Sequence, residues 1–430
     1  MTVSGPPVVT GLDLPADAAG GSVELLHDLY ARPDAPIGGQ VFMLPPAGNG
    51  CSRPSSGLTL LDVPGKCLEG PLFWRYVTEL TGCLTNTVNP PSGTVMHLQH
   101  LAFGASPALL NAFPNLRRIA LTHGTDLLLA EAHPTQLRVL QHVVEAVAAI
   151  VVPTAAMADR LRRLAPHLDP ARVVHIPWGV PAQLLDAPPT PPRQRTDGEL
   201  RLLYAGRLTA EKGAAGLAAA CAEVPGIHLS IAAPQHEYAA LTDRVTLSTA
   251  QVEYLGWLPR PRLWEAFADH DILVVPSTIL EAFGLVTIEA QARGLPVVYQ
   301  PIPGLQEVLA GSALPVDLAD PTALTAELDW LRTDTTALTR ATHRRVAQRS
   351  PLSAQSDCPA THRPQRSDRM IHPTHRSRLH AHGRCPPHSP FRDWHRRAAA
   401  EWHRQARLPR RSLGSRRHQQ ATDQRCARGT

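Results

Sequence analysis

Short apolar runs rich in Val, Ile and Leu alternate along this chain with segments whose apolar positions recur every three or four residues. The first pattern predicts buried β-strands, and the second predicts amphipathic helices. Alternation of the two is typical of α/β proteins, in which helices cover both faces of a mostly parallel sheet. The sequence therefore predicts an α/β fold.

The first half of the chain contains several strands and helices of this kind. The predicted strands are Pro7–Thr10, Gln40–Leu44, Val95–Leu98, Arg118–Thr122, Ile150–Val152 and Val173–Ile176. The predicted helices are Ser22–Leu29, Pro134–Val147 and Ala155–Leu164. Thr154 precedes the last of these helices and is a good N-cap.

A second alternation follows a proline-rich segment, residues 181–199, which lacks apolar periodicity and is predicted to be a linker. The strands predicted after it are Leu200–Ala205, His228–Ile231, Val252–Leu255, Ile272–Val275 and Pro296–Tyr299. The helices predicted there are Gly213–Ala222, Arg260–Ala268 and Gly284–Ala292. We therefore expect two doubly wound, Rossmann-like domains, residues 1–180 and 200–349, that face each other across a cleft. In such sheets, ligands bind at the carboxyl ends of the strands.

The pattern ends near Ser350. The last 80 residues, from Pro351 onward, hold 17 Arg, 5 acidic residues and 9 of the 21 His. They carry a net charge of +12. Since the whole chain carries +5, the first 350 residues carry −7. The basic charge is confined to the last segment, so it gives no reason to predict nucleic-acid binding. Residues 350–430 are predicted to be a disordered basic tail or the product of a shifted reading frame. A His-rich metal or nucleic-acid module is the third alternative, but the segment lacks metal-ligand spacing.

The rest of the composition indicates a cytoplasmic protein. The seven Cys are odd in number and form no CxxC pair, which is typical of reduced thiols. No secretory signal is evident, and the most apolar stretch, residues 143–152, is too short to cross a bilayer. Peripheral contact with a membrane and the oligomeric state stay open.

The segment Gly206–Gly213 follows a predicted strand and opens a helix. It contains Arg207 and Lys212, and Lys212 is one of two lysines in a chain that otherwise uses Arg. Two cations beside a helix N-terminus suit a diphosphate group. The alternative is a solvated turn with two surface cations.

A pair of glutamates marks a second candidate site. Glu281 lies in the loop after a buried strand, and Glu289 lies on the following helix, which is otherwise mostly apolar. Gly284, between them, lets the backbone come close to a ligand. A carboxylate on an apolar helix is costly unless it is paired or used, so we expect both to accept hydrogen bonds from sugar or ribose hydroxyls. The alternative for Glu289 is a surface ion pair with Arg293.

Together these segments resemble the retaining glycosyltransferases of the GT-B fold, the glycosyl transferases group 1 family that includes sucrose synthases and bacterial mannosyltransferases. The matching segments are Gly206–Gly213, Val252–Phe267 and Asp271–Val298. The resemblance extends from about residue 8 to about residue 348. Members normally end with a helix that crosses back to the first domain, and here the match stops where that helix should begin.

The resemblance implies a nucleotide-diphosphate sugar as co-substrate, with no cofactor and no metal. Arg207 and Lys212 would hold the donor diphosphate, and their charges would stabilise the departing phosphate. Glu289 would bind the ribose hydroxyls, and Glu281 would bind hydroxyls of the donor sugar.

Further roles rest on the same resemblance. The backbone N–H groups of Phe283, Gly284 and Leu285 would lie near the donor. His123 would contact the donor sugar near the reacting carbon, and Gly21 would let the first domain's backbone approach the diphosphate. Without the resemblance, His123 would be interpreted as a structural histidine and Gly21 as part of a plain turn.

The expected function is transfer of a sugar, with retention of configuration, to an unidentified small-molecule, lipid or glycan acceptor. The catalytic residues would be His123, Arg207, Lys212 and Glu281. An antibiotic or cell-envelope intermediate of a bacterium is the expected kind of acceptor. The alternatives are a sugar-nucleotide epimerase or phosphorylase on the same frame and a non-catalytic nucleotide-sugar binder.

Overall fold

A computed structural model describes residues 5–46, 57–186, 198–245 and 251–334. Residues up to His175 form a sheet of seven parallel strands in the order β3-β2-β1-β4-β5-β6-β7. The strands are β1 (Val8–Pro15), β2 (Gly39–Leu44), β3 (Leu58–Leu60), β4 (Val95–Gln99), β5 (Arg117–Leu121), β6 (Ala149–Val152) and β7 (Val173–His175). The central strand β1 sets Val9 opposite Gln40 of β2 and Met96 of β4.

Helices cover both faces of this sheet. They are α1 (Gly21–Leu26), α2 (Pro71–Thr87), α3 (Ala105–Ala112), α4 (Thr125–Ala132), α5 (Pro134–Ala146), α6 (Ala155–Leu164) and α7 (Ala182–Asp186). A π-helical turn, His27–Ala31, continues α1. Alternate strand residues enter two separate apolar clusters, with Ala120 in one and Leu121 in the other, because successive side chains of a strand point to opposite faces.

The second domain repeats this arrangement with six parallel strands in the order β10-β9-β8-β11-β12-β13. The strands are β8 (Leu200–Ala205), β9 (Ile227–Ala232), β10 (Val252–Tyr254), β11 (Ile272–Val275), β12 (Val297–Tyr299) and β13 (Leu314–Pro315). The helices are α8 (Ala214–Glu223), α9 (Gln235–Thr242), α10 (Arg260–Ala266), α11 (Leu285–Arg293), α12 (Pro303–Leu309) and α13 (Pro321–Thr333). None of the helices described in either domain is long and apolar enough to cross a bilayer.

Every predicted strand overlaps an observed strand, and every predicted helix overlaps an observed helix. Among the described residues, nine elements had not been predicted: β3, β13, α2, α3, α4, α7, α9, α12 and α13. The start of the predicted linker is wrong, because Ala182–Asp186 is helical and its Leu184 is buried in the core of the first domain. Residues 187–197 of that linker and the predicted tail, residues 350–430, lie outside the described residues.

The two domains meet along the segment that follows β11. Leu280 joins one apolar cluster of the first domain, and Phe283 and Ile288 join the other. The hydroxyl of Thr154 donates a hydrogen bond of 3.3 Å to the carbonyl of Ala282. The loops after the strands of the two sheets therefore face each other, and the candidate residues lie between them.

Candidate functional site

The loop after β8 presents the two predicted cations. A 3-10 turn, Ala210–Lys212, precedes α8, and Gly213 links the two with a φ of +70°. An added Cβ on Gly213 would lie 2.1 Å from the carbonyl oxygen of Pro276, so this position requires glycine. That close approach brings the loop after β8 against the loop after β11.

Lys212 and Glu281 are brought together by this contact between loops. The Lys212 Nζ donates a hydrogen bond of 2.5 Å to Oε2 of Glu281, and Ser277 Oγ donates to the same oxygen at 3.2 Å. The two charged side chains are 26% and 18% exposed, so both remain open to solvent or a ligand. A cation and a carboxylate therefore stand side by side at the carboxyl edge of the second sheet.

Arg207 also has a carboxylate partner, which had not been predicted. Its Nε donates a hydrogen bond of 2.9 Å to Glu237 of α9, and the other oxygen of Glu237 accepts the backbone N–H of Leu208 at 2.6 Å. The Arg207 side chain is 43% exposed. Each of the two cations predicted to bind a diphosphate thus forms an ion pair with an acidic side chain. A bound diphosphate would have to displace that carboxylate or lie beside it.

Helix α11 begins where Gly284 adopts a φ of +72°. An added Cβ there would lie 2.8 Å from Leu305 Cδ2. Phe283 is buried and Leu285 is partly buried, and both pack against the first domain. The three residues predicted to offer backbone N–H groups therefore lie at the helix start and at the domain interface.

Glu289 is 3% exposed, so the alternative of a surface ion pair is wrong. Its Oε1 accepts a hydrogen bond of 2.6 Å from Nη2 of Arg260, and its Oε2 accepts one of 2.9 Å from the indole N–H of Trp264. Burial raises the pKa of the Glu289 carboxyl, and these two donors counteract that effect. The spacing of the two glutamates had not indicated that the second would be enclosed in this way.

The first domain places His123 at the same interface. Its Nε2 shares a hydrogen bond of 2.8 Å with Oε1 of Gln99, and its ring stacks on Trp178 with centroids 6.2 Å apart. Burial lowers the pKa of His123 to about 3, so the imidazole is neutral at ordinary pH. The next residue, Gly124, has a φ of +96°, and a Cβ there would lie 2.9 Å from Cβ of Ala282. His123 is thus adjacent to the loop that carries Glu281.

Gly21 also faces the second domain. A Cβ at this position would lie 3.4 Å from Cδ1 of Leu285, the first residue of α11. The sequence-predicted residues therefore fall on two opposed edges: Arg207, Lys212, Glu281 and the start of α11 on one, and Gly21 and His123 on the other. Glu289 lies deeper, behind Arg260.

A group of buried polar side chains that the sequence had not revealed lies behind His123. Asp13 Oδ1, Tyr76 Oη and His100 Nδ1 have no hydrogen-bond partner among the described residues. Lys66, the second lysine, donates a hydrogen bond to the backbone carbonyl of Asp13. Burial raises the pKa of Tyr76, and the negative charge of Asp13 raises it further. The rarity of lysine in this chain is the sequence signal that could have pointed to this group.

The described residues hold no group of three or more His, Cys, Asp or Glu side chains that could bind a metal ion. The cleft offers cations for an anionic group, carboxylates for hydroxyl groups and a neutral imidazole. Such a set can bind and orient a polyhydroxylated anion and can stabilise negative charge that develops on it.

Comparison with known proteins shows which proteins this chain is similar to. Residues 199–334 match the family model described as Glycosyl transferases group 1. The alpha-maltose-1-phosphate synthase of Mycolicibacterium smegmatis is 24% identical over 288 residues, which are 58% of this chain and 74% of the relative. The D-inositol 3-phosphate glycosyltransferase 1 of Catenulispora acidiphila is 28% identical over 314 residues, which are 65% of this chain and 71% of the relative.

Solved structures of low sequence identity share the fold of this chain. Sucrose-phosphate synthase from Thermosynechococcus elongatus has a TM-score of 0.61 at 20% identity, with 80% of this chain and 94% of that chain covered. Anabaena HepE in complex with UDP-glucose has a TM-score of 0.59 at 18% identity, with 79% and 94% covered. The predicted GT-B architecture of two Rossmann-like domains is confirmed, and the second of them matches the glycosyl transferases group 1 model.

Proposed function

We propose that this protein transfers a sugar from a nucleotide-diphosphate sugar to a hydroxyl group of an acceptor, with retention of anomeric configuration. The observation that carries the proposal is the Lys212–Glu281 pair, 2.5 Å apart at the carboxyl edge of the second sheet and beside the start of α11. A cation there suits the diphosphate, and the carboxylate suits the hydroxyls of the sugar. The family match of residues 199–334 contains both residues.

The proposed chemistry needs charge stabilisation more than proton transfer by a side chain. The bond between the anomeric carbon and the diphosphate oxygen breaks, and the acceptor oxygen forms its bond on the same face of the sugar. The departing phosphate takes the acceptor's proton. Arg207 and Lys212 stabilise the charge on that phosphate, and no metal is proposed. His123, whose pKa is about 3, acts as a neutral hydrogen-bonding group near the reacting carbon.

We propose UDP-glucose as the first donor to test, because the similar HepE structure contains it. The acceptor would approach from the first domain, which places Gly21 and the residue after His123 against the segment that carries Glu281 and the start of α11. A bacterial antibiotic or cell-envelope intermediate remains the proposed kind of acceptor, and the cytoplasm the proposed location.

The first test compares two substitutions with a control. Lys212→Ala and Glu289→Ala should each lower kcat/KM by at least about 100-fold, or ~2.7 kcal/mol of transition-state stabilisation. Arg262→Ala is the matched control, because Arg262 is a 72% exposed cation paired with Glu265 on the surface of α10. Near-normal transfer by both site variants would contradict the assignment.

The assay also separates the alternative functions. UDP-, GDP- and dTDP-sugars are supplied with a panel of hydroxylated acceptors, and both donor consumption and the anomeric configuration of the product are followed. A transferase consumes donor only with an acceptor, whereas an epimerase isomerises the donor without one. Nucleotide binding in a thermal-shift assay without any turnover would indicate a non-catalytic binder.

A further inference from the structure

Arg260, the first residue of α10, lies buried between the two domains with 6% of its side chain exposed. Its Nη1 donates to Asp28 of the first domain, and its Nη2 donates to Glu289 at a distance of 2.6 Å. Trp264, one helical turn later, donates to the other oxygen of Glu289 at 2.9 Å. One guanidinium group therefore joins a carboxylate of each domain.

The first-domain side of this bridge is itself a network. Asp28 also pairs with Arg32 at 3.1 Å, and Glu24 lies 3.6 Å from Nε of Arg260. His27 faces the same charges, and its pKa is lowered by burial. Glu24 belongs to α1, which begins at Gly21, and Asp28 belongs to the π-helical turn that continues it. The bridge thus links the element that begins at Gly21 to the carboxylate proposed to bind ribose.

Each member of the bridge depends on the others. Burial by itself would lower the pKa of Arg260, but Glu289 and Asp28 raise it above its ordinary value. Removing Asp28 from its place leaves one arm of the guanidinium without its partner, and a buried charge that loses a partner is strongly disfavoured. The orientation of Arg260, and with it that of Glu289, is therefore best defined when the two domains are together.

We propose that Arg260 is a positioning residue that makes the ribose-binding orientation of Glu289 depend on contact between the two domains through Asp28. This inference rests on the proposed function, in which Glu289 receives the ribose hydroxyls. A carboxylate offers about four acceptor sites. Arg260 and Trp264 use two of them, so the remaining sites are held in a fixed direction for the hydroxyls.

The role requires an arginine and not merely a positive charge. Arg260 contacts Asp28 and Glu289 through different terminal nitrogens. A lysine has one ammonium group on a flexible stem and cannot reproduce the planar fork. Arg260→Lys should therefore retain the charge and lose the positioning.

The test measures how strongly the protein prefers ribose. Among UDP, GDP and ADP, the nucleotide that gives the largest thermal shift is compared with its 2′,3′-dideoxy counterpart by calorimetric titration. The full-length wild-type chain should bind the ribonucleotide about tenfold more tightly or better, since hydroxyls that donate to a carboxylate form strong hydrogen bonds. Asp28→Asn keeps the shape of the side chain and removes the charge that pairs with Arg260, and it should reduce this preference to about threefold or less.

Two further variants define the outcome. Arg260→Lys should reduce the preference as Asp28→Asn does, whereas Arg262→Gln, on the exposed side of α10, should leave it unchanged. A general loss of structure would weaken both nucleotides equally, and would leave their ratio intact. If folded Asp28→Asn and Arg260→Lys proteins keep the full preference, the positioning role is refuted. If the wild type binds none of the three nucleotides, the proposed function itself fails, and the inference fails with it.

Discussion

Replacement of Glu281 by Gln should move two measurable properties in opposite directions. The substitution keeps the shape of the side chain and removes its charge, so Lys212 loses the anionic partner that lies 2.5 Å from its Nζ. In the wild type, a diphosphate bound as proposed would compete with Glu281 for that cation. In the variant, Lys212 is available to the diphosphate without this competition.

The magnitude of the first effect follows from the exposure of the pair. With side chains 26% and 18% exposed, the pair is screened in part by solvent. Ion pairs of this kind contribute up to about 1 kcal/mol. We therefore expect the Kd for the nucleoside diphosphate to fall by up to about fivefold.

The second effect has the opposite sign. Hydroxyl groups of the donor sugar would donate to a carboxylate in the wild type and to a neutral amide in the variant. Hydrogen bonds to charged groups contribute about 1.5–3 kcal/mol and those between neutral groups about 0.5–1.5 kcal/mol, so the substitution should cost about 1–1.5 kcal/mol. The value of kcat/KM for sugar transfer should therefore fall by roughly 5- to 13-fold.

Calorimetric titration with UDP, which lacks the sugar, and initial-rate measurement with UDP-glucose separate the two effects. Glu237→Gln is the matched control, since Glu237 pairs with Arg207 at 2.9 Å and has no proposed contact with the sugar. It should strengthen UDP binding and leave transfer nearly intact. If Glu281→Gln weakens UDP binding by the same factor as transfer, Glu281 serves to hold Lys212 in place and does not bind the sugar.

Two further predictions concern stability. Gly213→Ala should lower the free energy of unfolding by about 2 kcal/mol or more, because the position has a φ of +70° and the new Cβ would clash with the Pro276 carbonyl. Gly216 lies on α8 with open space around it, so Gly216→Ala should be neutral or stabilising in the same thermal-unfolding assay. For His123, the folded pKa of about 3 lies below the unfolded value near 6.5, so the unfolded chain binds more protons and stability falls as pH drops from about 6.5 toward 3. His123→Gln should make the Tm less dependent on pH over that window, and an unchanged slope would contradict the proposed protonation state.

The second domain was the more predictable part of the molecule. Its strands carry unmistakable apolar runs, and the segments that bring Lys212 and Glu281 together lie in the loops directly after β8 and β11. Because β8 and β11 are neighbouring parallel strands, their following loops meet at one edge. Local pattern therefore placed both residues at the carboxyl edge of the sheet, whereas their contact follows from the strand order, which had not been predicted.

The missed helices of the first domain show where periodicity fails. Six of the eight residues of α3 are buried, including Ser106, so the helix has little polar face for a pattern to reveal. In α2, Leu72 and Trp74 are exposed at 61% and 46% while Phe73 between them is buried. Apolar side chains on both faces blur the helical period, which depends on a contrast between the two.

The partners of the charged residues could not be predicted from local sequence patterns. Asp28 and Arg260 are 232 positions apart and belong to different domains, so nothing near either residue in the sequence indicates their contact. Glu289 could be recognised from the sequence as costly on an apolar helix, but its enclosure by Arg260 and Trp264 of α10 could not. The half of the cleft that carries Lys212 and Glu281 is built by neighbouring loops of one sheet, and its residues can be located from the sequence. The coupling of the two halves depends on how the domains dock.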